Sequence, residues 1–154
     1  MLFRSGVYAE RGESALVFHG DGGLDELSTT GASTVWIAAD GAVTVAEFDP
    51  ASVGLPRATV EDLRGADPAH NAEVTRRLLA GQTGPVRDIV LLNAAAAVTA
   101  AGGLSGVTSS DALAKALGDG LARAAAAVDS GAAADLLDRW TQVSNRLATP
   151  RPRS

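Results

Sequence analysis

The chain has 154 residues, the length of one domain; 46% of them are apolar, none is cysteine, and the formal net charge is −5. This acidity argues against a nucleic-acid-binding protein, which would follow phosphates with a basic surface. The lack of cysteine excludes disulfides, thiolate metal ligands and cysteine nucleophiles, and it fits a cytoplasmic protein. The most apolar stretch, residues 89–101, is too short to cross a bilayer, so we expect neither a nucleic-acid nor a membrane partner.

The first third of the chain predicts one helix and three strands. The helix is expected over residues 2–10, with Gly12 as its C-terminal stop. Strands are expected where short runs of apolar or β-forming residues lie between turn residues. These runs are residues 14–19, 34–38 and 43–48. Asp40-Gly41 between the last two runs is the strongest short-range signal for a hairpin. Asp49-Pro50 ends the third strand, because proline cannot donate to a β-ladder.

The rest of the chain predicts four helices. They are expected over residues 69–80, 87–101, 112–128 and 132–147. Asp67-Pro68 gives the first of them an N-cap and a proline at the first helical position. In the last two helices, apolar residues recur at spacings of three and four, which predicts one buried face for each helix. In the final helix we expect this inward face to consist of Leu136, Leu137, Trp140 and Val143.

This order of elements indicates the α/β class, with a few strands including a hairpin followed by a helical half. We expect one partial domain over residues 1–148 and a disordered tail over residues 149–154. Three strands are few for a sheet that must be covered by so many helices. We therefore expect further strands upstream of this sequence.

The loop after the first strand holds the strongest candidates for chemistry. Residues 19–23 contain three glycines, and the adjacent carboxylates Asp25 and Glu26 follow. In open α/β sheets ligands bind beyond the carboxyl ends of the strands, which is where this loop is expected to lie. Mg²⁺ prefers oxygen ligands and often takes only one or two carboxylates. Neighbouring side chains on a strand point to opposite faces, but a bent loop lets both reach one ion. The alternative is a solvated acidic loop.

Four other polar residues each have two interpretations. His19 would act as an acid–base group near neutral pH or, as we favour, sit at the strand end with its ring packed or hydrogen-bonded. Asp21 would join the metal site or, as we favour, serve as a turn residue. Asn93 would touch a substrate or tie its helix to a neighbouring backbone, the commoner case. Arg87 would grip an anion or pair with an acid. His70, in the first turn of a helix, is expected to be exposed.

Several blocks of the chain resemble the carboxyl-terminal half of the anthranilate phosphoribosyltransferases. In the order of that family they are residues 15–20 and 23–26, 48–50 and 54–55, 71–72, 84–95 and 128–133. The resemblance implies a homodimeric enzyme of tryptophan biosynthesis that joins anthranilate to the ribose of phosphoribosyl pyrophosphate (PRPP) and binds Mg²⁺. It implies the nucleoside phosphorylase/phosphoribosyltransferase fold, of which this chain would form the carboxyl-terminal part of the large α/β domain. The magnesium-binding pair of the family falls on Asp25 and Glu26.

The same resemblance implies an amino-terminal half that these residues do not contain. The family carries its Gly-Thr-Gly-Gly-Asp phosphate-binding loop and most of its anthranilate contacts in that half. We therefore expect the chain to be inactive by itself and to expose an apolar surface that the other half covers. Two alternatives stay open. One is a non-catalytic α/β binding module, and the other is a relative of the pyrimidine nucleoside phosphorylases, which share the fold.

Overall fold

A computed structural model describes residues 2–148, without the side chains of Leu2 and Asp21. Within that range the chain forms five α-helices and three strands. They are α1 (Leu2–Glu10), β1 (Ala15–His19), β2 (Ser33–Ala39), β3 (Ala42–Phe48), α2 (Pro68–Leu79), α3 (Pro85–Gly102), α4 (Ser110–Asp129) and α5 (Ala132–Ala148). Their order confirms the one expected from the sequence. The expected tail over residues 149–154 lies outside the described residues.

The sheet is an antiparallel meander in the order β1-β2-β3. The hairpin between β2 and β3 turns at Asp40 and Gly41, whose φ angles are 52° and 77°. Positive φ at both central residues is what a tight two-residue hairpin turn requires. Antiparallel neighbours end at opposite edges of a sheet. The three strands therefore share no single carboxyl edge, but the loop that carries Asp25 and Glu26 does lie beyond the carboxyl end of β1, as expected.

The main core lies between the sheet and the helices α3 and α4. Its fully buried side chains come from the loop after β1, from β2 and β3, and from the two helices. They include Leu27, Val35, Ile37, Phe48, Leu92, Leu113 and Leu117. A second buried cluster, Leu78, Leu91, Ala124 and Val128, joins α2, α3 and α4. Both α3 and α4 contribute to both clusters, so these two helices join the sheet side of the core to α2.

Small residues let α3 and α4 approach closely. A Cβ at Gly120 of α4 would lie 2.6 Å from Thr99 Oγ1 and 2.8 Å from the carbonyl oxygen of Ala95, both on α3. The Thr99 hydroxyl donates a hydrogen bond of 3.1 Å to the carbonyl of Ala116. Glycine at this position therefore sets the distance between the two helices.

The expected inward face of α5 is not buried, and only its Leu137 is half-buried. Leu136, Trp140 and Val143 are 59%, 70% and 41% exposed, and Leu147, which continues the stripe, is 80% exposed. The helix packs through its first turns, where Ala133 contacts the second cluster. The prediction of an inward face was wrong because periodicity shows only that a face is apolar, not that another element covers it. None of the helices in the described part of the chain is long and apolar enough to span a membrane.

Candidate functional site

Asp25 and Glu26 lie side by side on the surface loop between β1 and β2, and both are exposed. The loop bends at these two residues, so their carboxylates are not forced to opposite faces as they would be on a strand. No three histidine, aspartate or glutamate side chains converge as a metal site among the described residues. Two adjacent carboxylates nevertheless suit Mg²⁺, which completes its octahedral shell with waters and phosphate oxygens.

Gly20 closes the start of this loop. Its N–H donates a 2.8 Å hydrogen bond to the carbonyl of Leu24. A Cβ at this position would clash with the carbonyl oxygen of Glu26 and would lie 3.3 Å from the Leu24 Cβ. Any larger residue would therefore push away the backbone that carries Glu26. The glycine is required by the close approach of the two ends of the loop.

Asn93 of α3 fixes the other end of the loop. Its Oδ1 accepts a hydrogen bond of 3.0 Å from the Leu27 N–H, and its Nδ2 donates one of 2.9 Å to the Leu27 carbonyl. The same Nδ2 donates to the carbonyl of Ile89 on its own helix at 3.0 Å. The Leu27 side chain is fully buried in the main core. The interpretation of Asn93 as a tie between a helix and a neighbouring backbone is confirmed.

The segment after the carboxylates is buried and internally hydrogen-bonded. The hydroxyls of Ser28 and Thr30 are 2.6 Å apart, and Ser28 Oγ accepts from the Thr30 N–H at 3.0 Å. The Ser28 N–H donates to Ser33 Oγ at 3.3 Å, and the Ala58 N–H donates to the Thr29 carbonyl at 3.0 Å. From the sequence, the hydroxyls of residues 29–33 would be supplied to a ligand or belong to an ordinary loop. In the structure they hold the backbone that follows Asp25 and Glu26.

The two histidines lie in different places. His19 is exposed at the end of β1 and paired in register with Thr34, and its Cε1 would lie 4.0 Å from a Cβ at Gly23. The packing that we favoured for it is therefore not observed. His70 is exposed in the first turn of α2, as expected.

A second group of charges lies at the start of α3. The side chain of Arg87 is nine-tenths buried, and its Nη2 donates a 2.7 Å hydrogen bond to Asp129 at the end of α4. Of the two interpretations left open for Arg87, the pairing with an acid is observed. Burial raises the pKa of the neighbouring Asp88 above its usual value, and the positive charge of Arg87 partly opposes that shift.

Residues 6–134 match the family model described as "Glycosyl transferase family, a/b domain". The anthranilate phosphoribosyltransferase of Rhodococcus jostii (strain RHA1) is 56% identical over 147 residues, which are 96% of this chain and 40% of that relative. The chain therefore spans about two fifths of the length of this curated relative.

Solved structures with a similar fold also belong to anthranilate phosphoribosyltransferases. The crystal structure of anthranilate phosphoribosyltransferase from Thermus thermophilus superposes with a TM-score of 0.66 and 38% identity over 82% of this chain and 34% of that one. The Saccharomyces cerevisiae enzyme in complex with PRPP and Mg has a TM-score of 0.66 at 24% identity, over 81% of this chain and 33% of its own. At that identity the yeast structure shows the shared fold.

Proposed function

The chain belongs to the glycosyl transferase family whose a/b domain its residues 6–134 match, and we propose that it is the carboxyl-terminal part of an anthranilate phosphoribosyltransferase. The reaction would transfer phosphoribose from PRPP to anthranilate, releasing pyrophosphate and giving N-phosphoribosylanthranilate for tryptophan biosynthesis. The name of the Rhodococcus jostii relative, at 56% identity, supports this activity. The PRPP and Mg in the yeast structure of the same fold support the substrate and the metal.

The observation that carries the proposal is the loop that presents Asp25 and Glu26. Both carboxylates are exposed, while Gly20 and Asn93 hold the backbone on either side of them. We propose that the two carboxylates hold Mg²⁺. When bound, the metal would stabilise the negative charge that grows on the leaving pyrophosphate. Gly20 and Asn93 are positioning residues, and none of the residues in this chain is assigned a catalytic role.

Residues 1–148 would then form only part of the α/β domain. The remaining contacts to PRPP and anthranilate would come from an amino-terminal part of the enzyme. The Rhodococcus jostii relative has room for such a part, since this chain covers 40% of its length. We propose that the complete enzyme is a cytoplasmic homodimer. The exposed apolar stripe of α5 supports the existence of a covering surface, because apolar patches of this kind mark interaction sites.

Reconstitution tests the activity. The chain alone is expected to show no transfer, measured as loss of anthranilate fluorescence with PRPP and Mg²⁺ present. Addition of the separately expressed amino-terminal part of the Rhodococcus jostii relative should restore it. Turnover by the chain alone would contradict the partial-site proposal. Phosphorolysis of a pyrimidine nucleoside by the reconstituted enzyme, without anthranilate transfer, would instead support the nucleoside phosphorylase alternative.

Mg²⁺ binding tests the site without activity. Calorimetric titration with Mg²⁺ and pyrophosphate should give weak saturable binding to the chain, and Asp25→Asn/Glu26→Gln should abolish it. The matched control is Glu73→Gln/Asp119→Asn. It also removes one glutamate and one aspartate charge, but from exposed positions on helices. Equal loss in both double variants would show that net charge, not this loop, attracts the metal. Persistent binding together with an inactive reconstituted enzyme would favour the non-catalytic module.

A further inference from the structure

A cavity of about 430 Å³ lies between the turn that precedes α2, one side of α2 and the start of α3. This volume is within the range of small-molecule binding sites. Neither Asp25 nor Glu26 lines the cavity, so it is separate from the proposed metal site. The lining of the cavity carries a net positive charge, whereas the protein as a whole is negatively charged.

Arginines dominate the charged lining. The charged residues that line the cavity are Arg64, Arg77, Arg87 and Asp62. A local excess of positive charge in a chain with a net charge of −5 favours an anionic ligand. Arg64 and Arg77 contact Glu61 and Glu73 only loosely, at 3.8 and 3.9 Å, and these side chains are largely exposed. Such surface pairs hold a guanidinium weakly, so both arginines are able to turn toward a ligand.

Arg87 gives an independent indication of an anion site. Its Nη2 is paired with Asp129, but its buried Nη1 has no hydrogen-bond partner among the described residues. A buried charged donor without an acceptor is unfavourable and uncommon in folded proteins. The 18-residue helix α3 also begins at the cavity, with Gly84 and Pro85 in the lining. The positive end of its dipole adds to the attraction for an anion.

The remaining lining includes a group of apolar side chains. They are Leu63, Val74, Leu78 and Val86. A cavity that combines guanidinium groups with apolar walls suits an anion that carries an organic group. A phosphate monoester has nearly two negative charges at neutral pH and matches the excess of two positive charges in the lining. We propose that this cavity binds a small phosphate monoester, with the arginines holding the phosphate and the apolar side chains holding the organic group.

Phenyl phosphate is the probe that we would use, with the full chain and with EDTA present so that no magnesium-dependent site contributes. Calorimetry should show saturable binding, and amide NMR signals of residues that line the cavity should shift. Inorganic phosphate should bind about tenfold more weakly, because it lacks the apolar group. Phenol should not compete. Equal affinity for inorganic phosphate, or competition by phenol, would overturn the proposal of a monoester.

Two neighbouring arginines supply a matched pair of variants. Arg76 and Arg77 both lie on α2 and contact Glu73, at 3.7 and 3.9 Å, but only Arg77 lines the cavity. Arg77→Gln should weaken phenyl phosphate binding about tenfold through loss of a charge-assisted hydrogen bond. Arg76→Gln should leave the affinity within about twofold, since this arginine would act only through long-range attraction. Equal weakening in both would indicate general attraction and overturn the proposal.

Thr83→Glu is a second test of the cavity, and it leaves all the arginines of the lining in place. Thr83 is exposed and lines the cavity, so the added carboxylate should repel the phosphate and abolish saturable binding. Circular dichroism and thermal unfolding should show that each variant is folded. Unchanged binding by folded Thr83→Glu, or no saturable binding by the unmodified chain, would contradict the proposal.

Discussion

The adjacent helices α4 and α5 have the same kind of apolar stripe but opposite surroundings. In α4, Leu113 and Leu117 are fully buried between the sheet and α3. In α5, Leu136 and Trp140 are 59% and 70% exposed. The comparison shows that an amphipathic sequence predicts a helix with one apolar face. Whether that face is buried depends on which other elements pack against it. The stripe of α5 is therefore a surface available for contact.

The largest expected effect compares one leucine from each helix. Leu117→Ala should lower the free energy of unfolding by about 2–5 kcal/mol, because it leaves a cavity in the main core. Leu136→Ala should change it by less than about 0.5 kcal/mol, since its side chain is mostly exposed. Urea unfolding at low protein concentration measures both values. A large and concentration-dependent loss in Leu136→Ala would show that another copy of the chain covers α5 in solution.

A second comparison lies within α4. Gly120→Ala should destabilise the protein by about 1–3 kcal/mol, because the new methyl group would overlap Thr99 and Ala95 unless the helices separate. Gly118→Ala should instead stabilise it by about 0.5–1 kcal/mol, since alanine is the better helix former and the nearest atom, Val53 Cγ1, is 3.8 Å away. Thermal unfolding distinguishes the signs. Equal shifts would mean that the contact between α3 and α4 does not depend on Gly120.

The smallest expected change extends the comparison to the loop that α3 covers. Asn93→Ala should cost about 1 kcal/mol, because the Leu27 N–H and carbonyl lose their partners, but Asn93 itself is only half-buried, so water can enter the space that its side chain leaves. The same variant should weaken Mg²⁺–pyrophosphate binding, since Asp25 and Glu26 would be held less firmly. Amide hydrogen exchange of residues 24–30 is the measurement. Unchanged protection there would show that the loop is fixed without Asn93, by Gly20 and by the hydrogen bonds of Ser28 and Thr30.

Most of the secondary structure was predictable because its signals are local. The N-caps are an example: Asp67 Oδ1 accepts from the His70 N–H at 2.8 Å, and Ser109 Oγ accepts from the Ala112 N–H at 3.2 Å. Every predicted helix and strand end lies within two residues of the observed one. The residues that form a cap or a tight turn lie within about four positions of one another, so these features can be recognised directly in the sequence.

The site was predictable only in part. Its two carboxylates were identified from their position beside the glycines, and their role as metal ligands is a proposal. The tie that holds them was one of two open interpretations of Asn93, because its partner, Leu27, is 66 residues away along the chain. The sequence did not indicate which acid pairs with Arg87 either, since Asp129 is 42 residues further along the chain. Pairs so distant in sequence are brought together only by tertiary packing, of the loop after β1 against α3 in the first case and of α3 against α4 in the second.

The sequence by itself determined the elements, their order, the hairpin turn and the pair of carboxylates on a glycine-rich loop. Tertiary structure decided that β1 pairs antiparallel with β2, that Asn93 of α3 hydrogen-bonds the loop, and that the apolar stripe of α5 faces outward. The physical reason is the distance along the sequence over which each interaction acts. Backbone conformation responds to neighbours within one or two turns, whereas burial and long-range hydrogen bonds depend on which surfaces the whole chain brings into contact.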